Sequence, residues 1–289
     1  MKRPIGAGPR GGAAMAVSSI VAVQLGSALA TTLFDSLGAA GAVFLRSVFG
    51  ALLLFAFARG SFAPVRGWPR DVVLFGVTVA GFTLCFYAAI ARLPLGIAVA
   101  LEFTGPLGVA IAGSRRRLDL LWVLLAATGI VLLSGALGGG GIDAFGALMA
   151  LVAGAFWAAY ILLSARVGAR YPGLGAVAAA SLISALLLAP AGIAVAGAEL
   201  LAPANLAIAL AVGLLSSAAP YALELEALRR LPTQVFGVLM SLEPAVAAAV
   251  GFVALSQNLG VAEISGIALV VIASAGALRS TGAPPPRDG

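Results

Sequence analysis

Ala89-Ile90-Ala91-Arg92-Leu93-Pro94 returns as Ala227-Leu228-Arg229-Arg230-Leu231-Pro232, 138 positions further along the chain. Twelve residues after each of those prolines stands another, Pro106 after Pro94 and Pro244 after Pro232. Thr128-Gly129-Ile130 has its echo in Ser265-Gly266-Ile267 at an offset of 137. Any one match is ordinary among Ala/Leu-rich helices. Three in register predict a duplicated unit.

The unit is apolar. Of the 289 residues, 62% are hydrophobic and 10% charged, where a soluble domain carries about 25% charged residues. Surface-to-volume scaling leaves no way for a soluble globule of this size to hide so little polar surface. Runs long enough to cross a bilayer lie at about 15–34, 40–58, 71–91, 95–113 and 118–137, then 144–163, 174–197, 206–228, 233–255 and 261–278. The expected fold is therefore all-α and integral to the membrane, ten transmembrane helices in two five-helix repeats at 15–137 and 144–278. Residues 1–14 form a short N-terminal segment and 279–289 a flexible tail carrying Pro284 to Pro286. Ala28-Leu29-Ala30 has the look of a signal-peptidase site, but nine further spans follow it and argue against cleavage.

Charge tests this division. Fifteen of the 17 basic residues collect on one side: Lys2, Arg3, Arg10, Arg59, Arg66, Arg70, Arg115 to Arg117, Arg166, Arg170, Arg229, Arg230, Arg279 and Arg287. Arg92 alone falls on the other, and Arg46 lies within a span. The positive-inside rule then places both termini in the cytoplasm. Five helices is an odd number, so the halves run in opposite orientations, with Arg92 outside and Arg230 inside. Inverted repeats are a transporter device, with the binding site near the midplane between the halves. The net charge of +6 belongs to these short loops and does not indicate nucleic acid.

The site candidates are the charges that lie in the wrong solvent, each costing on the order of 2.5–3.5 kcal/mol near the bilayer centre on insertion scales. Glu102 and Glu243 fall near the middle of the fourth and ninth helices, each beside a proline that leaves a backbone carbonyl free (Pro106 for Glu102, Pro244 for Met240). A carboxylate beside such a carbonyl suits an ammonium group or a proton. The competing reading is a hydrogen-bonded glutamate that only joins helices. Arg46, about six residues into the second helix, either holds a substrate carboxylate with its forked guanidinium, snorkels outward, or neutralises a glutamate. Glu224 follows Pro220-Tyr221, an expected kink, and reads as a proton-relay carboxylate, whereas Glu226 beside Arg229 and Arg230 reads as an interfacial ion-pair partner. Trp157, Tyr160, Phe103 and Tyr221 are candidate pocket walls, and Pro94, Pro106, Pro220, Pro232 and Pro244 the expected helix breaks. Small residues recur every four positions at Gly96, Ala100, Thr104 and Gly108, and at Gly146, Ala150 and Gly154, which allows helices to pack closely.

With no histidine and a single cysteine, Cys85, the chain has no triad, no zinc site of the Cys/His kind and no disulfide framework. No metal and no cofactor is expected, an enzyme is disfavoured, and carboxylates are left as the proton carriers. A passive channel and a carrier of lipophilic cations or sugar-like metabolites remain the alternatives.

The run from Leu93 to Leu107, LPLGIAVALEFTGPL, followed by Ser114-Arg115-Arg116, resembles the threonine/homoserine exporters in the EamA branch of the drug/metabolite transporters. Pro220-Tyr221, Leu223-Glu224, Leu231-Pro232-Thr233 and Met240 to Ala245 agree in the second half, and the resemblance runs from about 17 to 279. It implies a ten-helix carrier in the bacterial inner membrane that exports small neutral amino acids in exchange for protons. A homodimer is among the assemblies it allows. The family commonly has a glutamate near the end of the ninth helix, where this chain reads Ser256-Gln257-Asn258-Leu259, so no acidic role carries over to that position.

Overall fold

A computed structural model describes residues 9–58, 69–112, 118–133, 142–171 and 175–281. The loops that hold Arg59, Arg66 and Arg115 to Arg117, the glycine run Gly138 to Gly141, Pro172-Gly173, and the terminal residues Lys2, Arg3 and Arg287 lie outside them. Every described element is helical. In chain order these are α1 (Pro9–Thr31), α2 (Phe34–Ala58), α3 (Arg70–Ile90), α4 (Leu95–Glu102), α5 (Thr104–Ala112), α6 (Leu118–Leu133), α7 (Ala144–Arg170) and α8 (Gly175–Ala196). After a 3₁₀ turn at Gly197–Leu201 come α9 (Pro203–Gly213), a π-helical segment at Leu214–Ala218, α10 (Ala219–Leu228), α11 (Thr233–Met240), α12 (Glu243–Leu255) and α13 (Val261–Thr281).

Among the described residues, eight continuous stretches are long and apolar enough to cross a membrane, and Leu95–Val109 and Leu120–Leu133 are shorter apolar helices. The chain is a multi-pass membrane protein. Its boundaries refine those expected from sequence. The first helix starts at Pro9 rather than 15 and stops at Thr31, and the second starts at Phe34. A kink at Gly38, whose φ of 62° suits only glycine without strain, separates that extra turn from the rest of α2. Arg46 therefore sits near the middle of its helix.

Close contacts identify the two ends of the bundle. At one end, Gly146 at the start of α7 packs on Arg92 and Leu93, and Gly251 near the end of α12 packs on Leu95. At the other, Gly12 at the start of α1 packs on Arg230 and Leu231, and Gly237 of α11 on Leu278 of α13. Arg92 and Arg230 thus lie at opposite ends. The Arg230 end also gathers Arg170, which pairs with Asp71 at the start of α3 at 3.4 Å. Between the ends α2 packs against α8, α4 against α12 and α6 against α13, while α3 packs against α7 and α1 against α10. The two glycines of the third sequence echo meet face to face, since a Cβ on Gly129 would stand 2.8 Å from the Gly266 carbonyl and one on Gly266 2.9 Å from the Gly129 carbonyl. The main apolar core holds Leu93 to Leu101 (Pro94 and Gly96 aside), Ile90, Leu37, Leu200 and Ala247, which belong to the Arg92 end.

Candidate functional site

Prolines stand at the starts of short helices in both halves of the chain. Pro94 takes the N-cap of α4 with φ −53° and ψ 140°, and Pro232 that of α11 with φ −56° and ψ 139°. Each starts an eight-residue helix. Proline fits there because the first turn has no partner for its missing N–H. The first short helix ends at Glu102 and turns at Phe103; the second ends at Met240 and turns through Ser241 and Leu242. Pro106 and Pro244 then sit in the opening turns of α5 and α12 and deny a hydrogen bond to the carbonyls of Glu102 and Met240. Thr104 and Ser241 cap the turns locally, donating to Leu101 O and Val238 O at 2.7 Å. Gly154 of α7 seats directly on this break, because a Cβ there would approach the Glu102 carbonyl within 2.5 Å. A Cβ on Gly105 would overlap the Gly154 carbonyl. Glu102 and Glu243 are buried at 4% and 5% exposure, and Glu102 Oε2 has no hydrogen-bond partner.

The π-helical segment accounts for Arg46. The carbonyl of Ser216 would bond the N–H four residues on, but that residue is Pro220. Arg46 Nη2 donates to this freed carbonyl at 3.1 Å instead. Its guanidinium lies 5.7 Å from the centroid of the Tyr87 ring, and its Nε is buried without a partner. Among the described residues it makes no ion pair. The side chain turns inward onto a backbone carbonyl instead of snorkelling outward, and it makes no direct salt bridge with a glutamate among the described residues. Glu226 bonds Arg229 at 3.1 Å and Arg230 at 2.5 Å, as expected for an interfacial partner. Glu224, two residues earlier, accepts a hydrogen bond from Ser19 Oγ at 2.7 Å.

The aromatic candidates form two groups. Trp157 meets Phe103 edge-on at 5.1 Å and Phe82 at 5.8 Å. The hydroxyls of Tyr160 and Tyr221 lie 2.8 Å apart, which joins α7 to α10.

All of these side chains border one cavity of about 490 Å³. Its lining takes in Arg46, Glu102, Glu224, Glu243, Phe103, Trp157, Tyr160 and Tyr221, with Pro106 and Pro220 of the breaks. Pro94, Pro232 and Pro244 shape the helices without touching it. It is lined from Phe86 and Tyr87, in the last turn of α3, to Phe236, Leu278 and Val109 toward the Arg230 end. Sequence reasoning missed Gln24, Tyr87, Ser184 and Ser274, which also line it. Among the described residues, seven buried polar side-chain atoms lack a partner: Gln24 Oε1, Arg46 Nε, Tyr87 Oη, Glu102 Oε2, Ser184 Oγ, Ser216 Oγ and Ser274 Oγ. Every one belongs to a residue of this cavity. Buried polar groups normally find partners, so these atoms leave unused hydrogen-bonding capacity concentrated around one cavity. It offers one cation, three carboxylates and several hydroxyls inside an apolar bundle.

Gln257, at the position where the sequence departs from the family pattern, has a structural task. Its Oε1 accepts from Leu95 N–H at 2.9 Å, which caps the first turn of α4. Pro94 has no side chain that could do so.

A multi-pass helical bundle with a polar chamber at paired helix breaks defines a membrane transporter, and the chain belongs to the EamA-like transporter family. The family model matches residues 144–279. The threonine/homoserine exporter RhtA of Salmonella typhimurium (strain LT2) is 44% identical over 266 residues, 91% of this chain and 88% of that protein. RhtA of Escherichia coli (strain K12) is 43% identical over 262 residues, covering 89% and 88%. An uncharacterized transporter, YwfM of Bacillus subtilis (strain 168), is 28% identical over 72% of this chain and 73% of its own length. A solved crystal structure 23% identical in sequence covers 96% of this chain and 99% of that one with a TM-score of 0.59, a likeness of fold.

Proposed function

We propose that this chain is a secondary carrier that exports threonine, homoserine and similarly small neutral amino acids from the cytoplasm in exchange for protons. The observation that carries the proposal is the cavity itself: one arginine that makes no salt bridge among the described residues, and three glutamates, around a single chamber. A zwitterion needs a cation at one end and an anion at the other, and a proton needs a carboxylate. In this reading Arg46 takes the substrate carboxylate, Glu102 or Glu243 its ammonium group, and Glu102, Glu243 and Glu224 pass the proton. The names of the RhtA relatives point to the same cargo.

The carrier has ten spans in two inverted five-helix repeats at 15–137 and 144–278. Supporting this are the opposite placement of Arg92 and Arg230, the matched prolines at the starts of α4 and α11, and the glycine contact between α6 and α13. Both termini face the cytoplasm of a bacterial cell, across its inner membrane, because the basic residues gather at one end. The reach of the cavity to Phe236, Val109 and Leu278 supports reading this as an inward-facing state. Protonation from the outside then releases substrate and resets the carrier, a cycle driven by the ligands' different affinities for the two facing states.

Efflux of labelled threonine from preloaded cells tests the proposal, wild type against Glu102→Gln, with and without a protonophore. Protonophore-sensitive efflux that the variant loses is the expected result. Wild-type cells that release threonine no faster than cells without the protein would sink the cargo assignment. Retained activity in Arg46→Ala would favour a carrier of lipophilic cations, which have no carboxylate to hold.

A further inference from the structure

The geometry points to Tyr87 as the second ligand of the substrate's carboxylate, acting beside Arg46. This rests on the amino-acid reading above and adds to it a residue that neither the sequence pattern nor the relatives single out. Tyr87 is 1% exposed, and its hydroxyl is buried, borders the cavity and has no partner. The ring is held in place on α3 by Phe34 at 5.9 Å and Phe86 at 6.1 Å, so the hydroxyl cannot swing away to find one. The Arg46 guanidinium stands 5.7 Å from the centroid of that ring.

Donor bookkeeping selects the anion. One guanidinium nitrogen is committed to the Ser216 carbonyl, which fixes the plane of the fork, while the Nε–H is left unused. A tyrosine hydroxyl can donate as well as accept. Two adjacent donors, one of them charged, on rigid supports fit a ligand group that only accepts and has two oxygens. A carboxylate is such a group, and charge-assisted bonds of this kind are the strong ones. An ammonium group would meet the guanidinium's charge and is repelled. The backbone carbonyl of Ser216, with the proline at 220 that frees it, is thereby part of the same clamp, because it sets the direction in which Arg46 offers its remaining N–H.

The test uses the full chain reconstituted in liposomes and exchange of labelled threonine, with threoninol, the amino alcohol without the carboxylate, as competitor. Tyr87→Phe removes the hydroxyl and keeps the ring beneath Arg46. The half-saturating threonine concentration is expected to rise on the order of tenfold, the loss of one hydrogen bond to a charged group, while competition by threoninol does not change. Arg46→Lys, which keeps the charge but not the fork, is expected to show the same threonine-selective loss, and Tyr87→Met carries the test of the hydroxyl with the same two readouts if Tyr87→Phe is unstable. An unchanged half-saturation in Tyr87→Phe, or equal weakening toward threonine and threoninol, overturns the role of the hydroxyl while the exporter reading stands. A wild-type carrier that exchanges neither threonine nor homoserine overturns that reading, and this inference with it.

Discussion

Glu102 is the last residue of α4 and Glu243 the first of α12, so the two buried carboxylates stand on opposite sides of matching breaks and not at matching positions. In the register that pairs Pro106 with Pro244, Glu102 falls opposite Met240 and Glu243 opposite Gly105. Gly105 is committed to packing, since any side chain there would run into the Gly154 carbonyl. The first half therefore presents its carboxylate immediately before the break and closes the position after it. The second half does the reverse. One cavity thus receives two acids from the two breaks at non-equivalent positions. Glu102→Gln and Glu243→Gln should each fold and each lose gradient-driven threonine export by at least about tenfold, the cost of one charge-assisted hydrogen bond. Efflux of labelled threonine driven by an imposed proton gradient, measured on both variants, reads this. Full export by either one would remove that glutamate from the machinery.

The same contact predicts how little the α7 crossing tolerates. Gly154→Val places a branched side chain against the Glu102 carbonyl, where even a Cβ comes within 2.5 Å. The variant is expected to lose about 1–3 kcal/mol or more of stability through overpacking. Gly108→Ala lies on the first half's row of small residues, where an added Cβ would meet nothing within 4 Å, and should be neutral. Thermal unfolding in detergent compares the two. A Gly154→Val carrier as stable as Gly108→Ala would mean that α7 moves aside freely.

Much of this was legible in the sequence because the bilayer makes charge expensive. Glu102, Glu224, Glu243 and Arg46 stand out in apolar helices, and all four reach the cavity. The prolines announce the breaks because they cannot donate. The hydroxyls were not legible, for a specific reason. Serine and threonine in a membrane helix can bond their own carbonyls three or four residues back, as Ser47, Thr78, Thr83 and Thr128 do. Nothing in the sequence separates these from Ser184 and Ser274, which face the chamber unpaired. Tyr87 is hidden the same way among aromatic neighbours that pack. The bond from Ser19 to Glu224 spans 205 residues, and only the packing of α1 on α10 makes it. Gln257 reads as a lost acid, and its work as a cap depends on α12 ending beside the start of α4.

That cap can be tested without touching the cavity. Gln257→Leu leaves the Leu95 N–H without its acceptor and should cost about 1 kcal/mol, the usual worth of a helix cap. Gln257→Glu keeps an acceptor at the same reach and should retain the stability of the wild type. Thermal unfolding of both variants reads the difference. Equal losses in the two would show that the side chain acts by its shape or neutrality and not by its carbonyl oxygen.

Tyr160 and Tyr221 form the direct side-chain bond between α7 and α10, hydroxyl to hydroxyl at 2.8 Å. Removing either hydroxyl breaks the same bond. Tyr160→Phe and Tyr221→Phe should each cost about 1 kcal/mol, and the double variant no more than either single, the signature of a coupled pair. A double-mutant cycle on unfolding gives the coupling directly. Additive losses would mean that each hydroxyl has a separate partner.

Pro220 offers the sharpest separation of stability from function. A proline inside a helix ordinarily costs about 3 kcal/mol relative to alanine, so Pro220→Ala is expected to leave the bundle as stable as before or more so. The new N–H at position 220 would also compete with Arg46 for the Ser216 carbonyl, on which the guanidinium now rests at 3.1 Å. Losing that tether frees the arginine to wander, and the half-saturating threonine concentration should rise roughly fivefold, about 1 kcal/mol for one neutral-acceptor bond. A variant that melts higher and binds worse is hard to obtain by general damage. Unfolding temperature and threonine exchange, measured on one preparation, give both numbers. An unchanged affinity would show that Arg46 keeps its direction without the carbonyl that proline sets free.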